Sequence, residues 1–312
     1  MKKSVLLFCL LALVSCGGKV DTSGLNIVTP TGAPAFAFYR HVENAHFQTN
    51  SKPKNIVAMM TEQSDKDIVV IDTVSGIQAI QSGAPYLLAS TITFGNFYLA
   101  STGNDENHVM DEEDKIVLFG QGQTPDKIFH FLYGDRFDAQ IEYVTNVKDA
   151  QTCLESGKNL VTSSTVDYVF IAQPALFGAL QNQTAATYGK AAIYQNIQEE
   201  YQAKTDGKAM MQASVFVKKT TDQKKISAFL KDLKTDITTL LDDPSVLEET
   251  IGAKDVEETV PLFGANYKVV QQVTKKNNGM GLGYQSAKEH KDAIDQFISL
   301  FGLEHTNEEI YF

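Results

Sequence analysis

The stretch IVLFGQGQTPDKIFHFLYG, residues 116–134, decides the fold. Its first four residues form an apolar run typical of a buried strand, and a turn with two glycines follows. Thr124-Pro125-Asp126 then predicts a helix start, with Thr124 as N-cap and Pro125 as the first helical residue. A strand that enters a helix through glycines directs free backbone N–H groups at a polar or anionic group, although an ordinary strand-to-helix joint has the same pattern.

The same joint occurs three times in the chain. Residues 29–34, 122–125 and 172–174 each lie between a strand pattern and a helix that begins with proline. In open α/β sheets ligands collect outside the carboxyl ends of the strands, so these helix starts can converge on one cleft.

Strand and helix patterns alternate along most of the chain, and helices dominate after residue 221. We expect strands at 25–29, 55–60, 67–71, 86–90, 97–101, 116–119, 141–144, 166–171, 191–197 and 211–217. This order predicts an α/β protein of two lobes with a helical C-terminal cover. We place lobe 1 at 25–113 together with 218–312 and lobe 2 at 114–217, with the acidic link 104–114 as the boundary.

The N-terminus has the pattern of an export signal. Met1-Lys2-Lys3 is basic, residues 5–14 are apolar but too few to span a bilayer, and Leu13-Val14-Ser15-Cys16 follows. This ending resembles the lipobox of bacterial lipoproteins. The resemblance implies a signal peptide at 1–15, lipid (diacylglycerol and palmitate) on Cys16, and a tether at 16–24. The alternative is a plain secretory signal with a chance cysteine.

Charge and cysteine content exclude several classes of function. The formal charge is −11 and becomes −13 without Lys2 and Lys3, which argues against nucleic acid and against a basic membrane-binding patch. Removal of the signal leaves Cys16 and Cys153, so neither a disulfide scaffold nor a zinc spacing is expected, and Cys153 fits a helix as a buried residue.

Several short motifs, in their order, resemble a family. The first strand is followed by Thr31-Gly32-Ala33-Pro34, and a later buried strand is followed by Asp72-Thr73. The crossover is preceded by Gly95-Asn96-Phe97, and the second lobe opens with residues 120–125. This order looks like the ABC-transporter solute-binding proteins of the type II periplasmic-binding-protein group, which includes nitrate, sulfonate and thiamine-precursor binders. Residues 166–174 are similar to the group's strand that ends in an acid and proline, but here Gln173 replaces the acid.

The resemblance implies a monomeric clamp, anchored by lipid outside the cell membrane, that passes a small polar or heterocyclic solute to a membrane permease without metal or cofactor. The implied polar contacts are Thr31, Gly32, Thr73, Gly95, Asn96, Gln121, Gln123, Thr124 and Gln173. Phe94 and Phe97 would stack on a planar ligand, with core packing as the alternative for both. Arg40 and Arg136 are the only arginines, so a guanidinium clamp on a dianion requires one of them to face the cleft.

Two other classes remain open. An exported enzyme on the same fold would need a catalytic constellation, and the six histidines show no His-Glu-x-x-His spacing, nor does the chain contain a Gly-x-Ser-x-Gly elbow. A lipid-anchored sensor or adhesin would need no closing cleft. Formation of a product from the bound ligand would identify the enzyme. A protein that does not become more compact when ligand binds would be the sensor or adhesin.

Cys16 should be the mature N-terminus. We expect Cys16→Ala to accumulate as an unprocessed precursor, because the sulfur that accepts the lipid is gone. Mass spectrometry and detergent partitioning check this. A processed, acylated Cys16→Ala protein would contradict the prediction.

Overall fold

The computed structural model describes residues 20–107, 109–183, 187–254, 256–275 and 279–312. The predicted signal peptide and Cys16 lie outside these residues. No helix in the described ranges is long and apolar enough to cross a bilayer.

The strands are numbered in chain order. They are β1 Ile27–Pro30, β2 Phe47–Asn50, β3 Ile68–Asp72, β4 Tyr86–Thr93, β5 Phe97–Ser101, β6 Ile116–Phe119, β7 Ile141–Val144, β8 Tyr168–Ala172, β9 Ala192–Asn196, β10 Ala213–Lys218 and β11 Leu282–Ser286. The first sheet has the order β11-β4-β10-β3-β1-β2 and the second the order β7-β6-β8-β5-β9. In each sheet the strands pair in parallel on one side, β3-β1-β2 and β7-β6-β8, and antiparallel on the other.

The helices cover both sheets and dominate the last third of the chain. They are α1 Ala33–Phe36, α2 Pro53–Val57, α3 Thr73–Gln81, α4 Thr124–Tyr133, α5 Val147–Ser156, α6 Ala175–Asn182, α7 Ile197–Lys204, α8 Gln223–Asp242, α9 Val246–Thr250, α10 Val256–Phe263, α11 Tyr267–Lys275 and α12 Lys291–Ser299. Short 3₁₀ turns lie at Tyr39–His41, Asp138–Gln140, Lys288–His290 and Glu308–Ile310.

The buried strand β3 shows why the first sheet is covered on both faces. Ile68 and Val70 pack into one apolar cluster and Val69 and Ile71 into another, and all four are fully buried. An uninterrupted apolar run is what a strand between two helical layers requires. Asp72 then caps α3 by accepting from the Ser75 N–H at 2.8 Å.

One core cluster contains residues of both sheets and joins them. It contains Val69 of β3, Phe97 of β5 and Phe170 of β8. The Tyr201 ring of α7 lies 6.3 Å from the Phe297 ring of α12, so helices attached to different sheets pack directly on each other.

Two local predictions are wrong. Residues 55–60 were expected to be a strand, but Pro53 starts α2 there, because proline fits the first helical turn. The strand that pairs with β1 at the sheet edge is β2 instead. Only Phe47 of its four residues is buried, so β2 carries little apolar pattern.

Thr124 is not the N-cap of α4: it is the first helical residue, and the cap residue Gln123 makes no side-chain capping bond.

The acidic link 104–114 does not mark the change of sheet. β5 precedes it and pairs with β8 of the second sheet, Phe97 opposite Ala172, so the chain leaves the first sheet at residues 94–96. It returns before β10, which lies between β3 and β4. The polar composition of residues 104–114 suggested a lobe boundary there, but the strand pairing shows that the chain crosses to the second sheet earlier.

The link itself holds a buried carboxyl group. Asp114 is 8% exposed, and its Oδ2 atom accepts from the Asp111 N–H at 2.6 Å. Burial is the main cause that raises the pKa of Asp114 to about 6; the hydrogen bond from Asp111 opposes it, and the nearby carboxylates of Asp105, Asp111 and Asp167 act with it.

Asp114 should make the fold more stable at mildly acidic pH. The pKa of Asp114 in the folded state lies above the unfolded value of 3.8. Between pH 3.8 and about pH 6 the folded state therefore binds a proton that the unfolded state has lost. Above about pH 6 the carboxyl group is charged in both states, and the full cost of its burial lowers the stability. We expect Asp114→Asn to raise the free energy of unfolding at pH 7.5 by about 1–3 kcal/mol and to flatten its pH dependence between 4 and 7.

Urea unfolding of both proteins across this pH range measures the effect. Glu113→Gln is the matched control, because it removes the same charge from an exposed neighbour. An equal gain in the two variants would show that net charge, and not burial of Asp114, sets the pH dependence.

Candidate functional site

Three chain segments meet where the chain passes between the sheets. Gly95 and Gly281 have positive φ values of 96° and 63°, a backbone region that favours glycine. A Cβ atom on Gly281 would lie 2.2 Å from the Gly95 carbonyl oxygen, and the Phe94 N–H donates to the Gly281 carbonyl at 2.8 Å. A Cβ atom on Gly95 would lie 2.3 Å from Met210 Cε. The crossover, the return segment and the approach to β11 therefore pack backbone against backbone.

A chain of amide groups connects the same segments. Asn96 Nδ2 donates to the Gln173 carbonyl at 2.7 Å, and the Gln173 N–H donates to the Asn96 carbonyl at 2.9 Å. Gln212 Nε2 donates to Asn96 Oδ1 at 3.3 Å, and the Gln212 N–H donates to the Thr93 carbonyl at 3.0 Å. These bonds join the end of β8 to both crossing segments.

Some buried polar atoms at this junction lack a partner among the described residues. They are Thr93 Oγ1, Gln198 Oε1 and Gln212 Oε1. The Gln198 oxygen lies 2.6 Å from the Cβ position of Gly95, so it belongs to the same junction. A buried polar group without a partner costs about 1–3 kcal/mol of stability, so each of these atoms would gain from contact with a polar ligand.

Of the residues predicted to bind ligand, the junction brings together Phe94, Gly95, Asn96 and Gln173. The Gln173 side-chain carbonyl accepts from the Phe177 N–H at the start of α6 at 3.1 Å. The Phe94 ring packs on Gly283, whose added Cβ atom would lie 2.8 Å from Phe94 Cε2.

Thr73 and Phe97, both predicted to contact ligand, are buried in the core of the structure. Thr73 is fully buried, and its hydroxyl lies 2.6 Å from Ser214 Oγ, which also binds the Thr91 hydroxyl. Phe97 is 4% exposed and packs between the rings of Phe119 and Phe170, because strand alternation turns it inward.

Thr31 and Gly32 lie at the carboxyl end of β1, half-buried. The Gly32 N–H donates to the Phe263 carbonyl at 2.8 Å, and Gly264 lies against Thr31. The start of α1 is thus partly occupied by the turn after α10. Thr31 remains a predicted contact.

Gln121, Gln123 and Thr124 lie on the loop between β6 and α4. The two glutamines line a recess of about 390 Å³ with Tyr143 and Asp149, at the edge strand β7. Thr124 is half-buried. The residues known to line this recess all belong to the second sheet and its helices, so it does not by itself join the two lobes.

Asp126, which the sequence analysis used only as a helix-start signal, organises this loop. Its carboxylate accepts from the Gly122 N–H at 2.7 Å and from the Tyr143 hydroxyl at 2.8 Å, and it lies 3.1 Å from His130 Nδ1. Burial lowers the pKa of His130, but Asp126 and Asp138 outweigh it and raise the pKa. The loop between β6 and α4 was expected to present backbone N–H groups to an anion. One of these groups, the Gly122 N–H, already donates to the carboxylate of Asp126.

The two arginines are engaged in ion pairs on the outside of the molecule. Arg40 Nε lies 2.8 Å from Asp236 of α8, and Arg136 Nε lies 3.2 Å from Glu112. Both guanidinium groups are about half exposed. Neither takes part in the hydrogen bonds of the junction.

No protein-family model matches the chain, and no curated protein matches it in sequence. Among solved structures, an ABC transporter protein from Parabacteroides distasonis is similar, with a TM-score of 0.66 and 20% identity over 89% of this chain and 91% of that one. The ligand-binding component of an ABC-type import system from Staphylococcus aureus, crystallised with zinc, has a TM-score of 0.61 and 7% identity over 92% and 95%.

A third similar structure is the periplasmic aliphatic sulphonate binding protein SsuA from Escherichia coli. Its TM-score is 0.61 and its identity 12%, over 89% of this chain and 86% of that one. These likenesses confirm the predicted fold, the two-lobed α/β architecture of type II periplasmic binding proteins. At such identities they establish the fold alone.

The close approach at Gly281 should be essential for stability. Gly281→Ala adds a methyl group at 2.2 Å from the Gly95 oxygen in a backbone region unfavourable to alanine, so we expect a loss of about 3–5 kcal/mol in the free energy of unfolding. Gly302→Ala is the control: φ is 72° there, but nothing lies within 4 Å of the added atom, so only the backbone cost of about 1–2 kcal/mol applies.

Chemical denaturation of both variants measures the difference. Equal losses would show that the contact between Gly95 and Gly281 adds nothing beyond backbone strain.

Proposed function

We propose that this protein captures a small polar or heterocyclic solute between its two lobes and delivers it to the permease of an ABC importer. The observation that carries the proposal is the junction, where amide groups from both crossing segments and from the end of β8 meet. The likeness to importer components from three bacteria supports it.

The division into lobes follows the sheets. Residues up to 93, together with those from 213 onward, form lobe 1, and β5 to β9 with their helices form lobe 2. The two short segments that cross between them are the places where a clamp of this kind bends. The lipid on Cys16 would hold the monomer at the extracytoplasmic face of the cell membrane, close to the permease.

The two lobes touch on the side where the strands end. Helix α6 of lobe 2 lies next to α11 of lobe 1, and the half-buried Phe177 packs against the apolar core of lobe 1. The Tyr98 hydroxyl of β5 lies 3.3 Å from the Cβ position of Gly279. These contacts would form as the lobes close over a solute.

The proposal is tested by what the purified protein carries. Native mass spectrometry should find a small molecule bound, and this molecule, removed and added back at about a hundred times its Kd, should stabilise the fold by about 2.7 kcal/mol. A protein that never carries or binds a small molecule would contradict the proposal, and conversion of the bound molecule into a product would favour the exported enzyme.

Phe177 should contribute to affinity through closure. Phe177→Ala removes an apolar contact between the lobes, so we expect about tenfold weaker binding of the co-purified compound with little change in the stability of the free protein. Tyr188→Ala, which truncates an exposed ring of lobe 2, is the control. Equal affinities of the two variants, measured by calorimetry, would show that Phe177 does not contribute to closure of the lobes.

A further inference from the structure

We infer that the solute is an uncharged ring compound that offers N–H donors beside carbonyl groups, as a lactam or cyclic imide does. The inference rests on the proposed function and deepens it. It comes from the orientation of the amides at the junction.

A backbone carbonyl fixes the direction of the Asn96 amide, and the Asn96 amide fixes that of Gln212. The Gln173 carbonyl can only accept, so the Asn96 group that faces it at 2.7 Å must be the NH₂. Asn96 Oδ1 therefore points the other way and needs a donor, which fixes the Gln212 NH₂ against it at 3.3 Å. The Gln212 side-chain oxygen is then an acceptor with no partner among the described residues.

Acceptors are consequently in excess at this place. Gln212 Oε1 and Gln198 Oε1 are both buried acceptors without a partner, and the Thr93 hydroxyl, in a residue 1% exposed, is free to donate or accept. A guest that reaches both oxygens with N–H groups would satisfy them, and its carbonyl group would accept from Thr93. Nitrate or a sulfonate group offers only acceptors and would face these oxygens with like partial charges.

The charges around the junction point the same way. Among the residues that the structure describes, the hydrogen bonds that link Asn96, Gln173 and Gln212 involve no charged side chain. Burial raises the pKa of the Tyr98 hydroxyl, and the carboxylate of Glu199 raises it further, so Tyr98 is neutral and a negative charge is close. The half-buried rings of Phe94 and Tyr98, on either side of Asn96 in the chain, suit a planar guest.

The experiment compares neutral and anionic probes on the full chain. The neutral probes are uracil, thymine and hydantoin, and the anionic probes are orotate, methanesulfonate and nitrate, each titrated calorimetrically at low and at high salt. We expect at least one neutral probe to bind at least tenfold more tightly than every anion, with little effect of salt. Tighter binding of an anion, or no binding of any neutral probe, would overturn the inference.

These failures are distinguishable from failure of the proposed function. An anion that binds tightly leaves the importer role in place and removes only the neutral class. If no probe binds, the neutral class falls, and the co-purification experiment still decides the importer role.

Gln198→Met tests the acceptor itself. It removes an unpartnered buried oxygen while keeping the shape of the side chain, so we expect a higher melting temperature without ligand and at least tenfold weaker binding of the best neutral probe. Gln202→Met, on the same helix α7, should change neither. A Gln198→Met protein with lower stability and unchanged affinity would show that Gln198 only supports the fold.

Discussion

The contact of Gly95 with Gly281 is the constraint on which the junction depends. A methyl group on either residue would collide, on Gly281 with the Gly95 backbone and on Gly95 with Met210 and Gln198. The resulting close packing brings the crossover within hydrogen-bonding distance of the end of β8 and of the return segment. The partners of Asn96, and with them the unpartnered oxygens of Gln198 and Gln212, follow from this arrangement.

Local signals in the sequence predicted the parts of the fold that local physics controls. The strands expected at 67–71, 116–119 and 141–144 are present as β3, β6 and β7, because burial of an apolar run acts over a few residues. The crossing between the sheets was placed too late. The sheet to which β5 belongs is set by pairing with β8, far along the chain, and no local pattern carries that information.

The site shows the same limit. Gly95, Asn96 and Gln173 were found because their motifs lie next to strands. Gln198 and Gln212 were not predicted to contact ligand, although Gln212 lies within the strand expected at 211–217. Thr73 was predicted to contact ligand from its position after a strand, but in the structure its hydroxyl lies against the hydroxyl of Ser214 on β10. Asp126 was predicted only as part of a helix start, but the fold brings Tyr143 and Gly122 to it. In each case the deciding partner comes from a distant segment.

Small-angle X-ray scattering bears most directly on capture between the lobes. The protein is stripped of its co-purified compound, measured, and measured again with that compound at saturation. Closure of two lobes about the crossing segments predicts a smaller radius of gyration with the compound present. An unchanged radius of gyration at saturation would contradict capture by closure and favour a rigid lipid-anchored sensor.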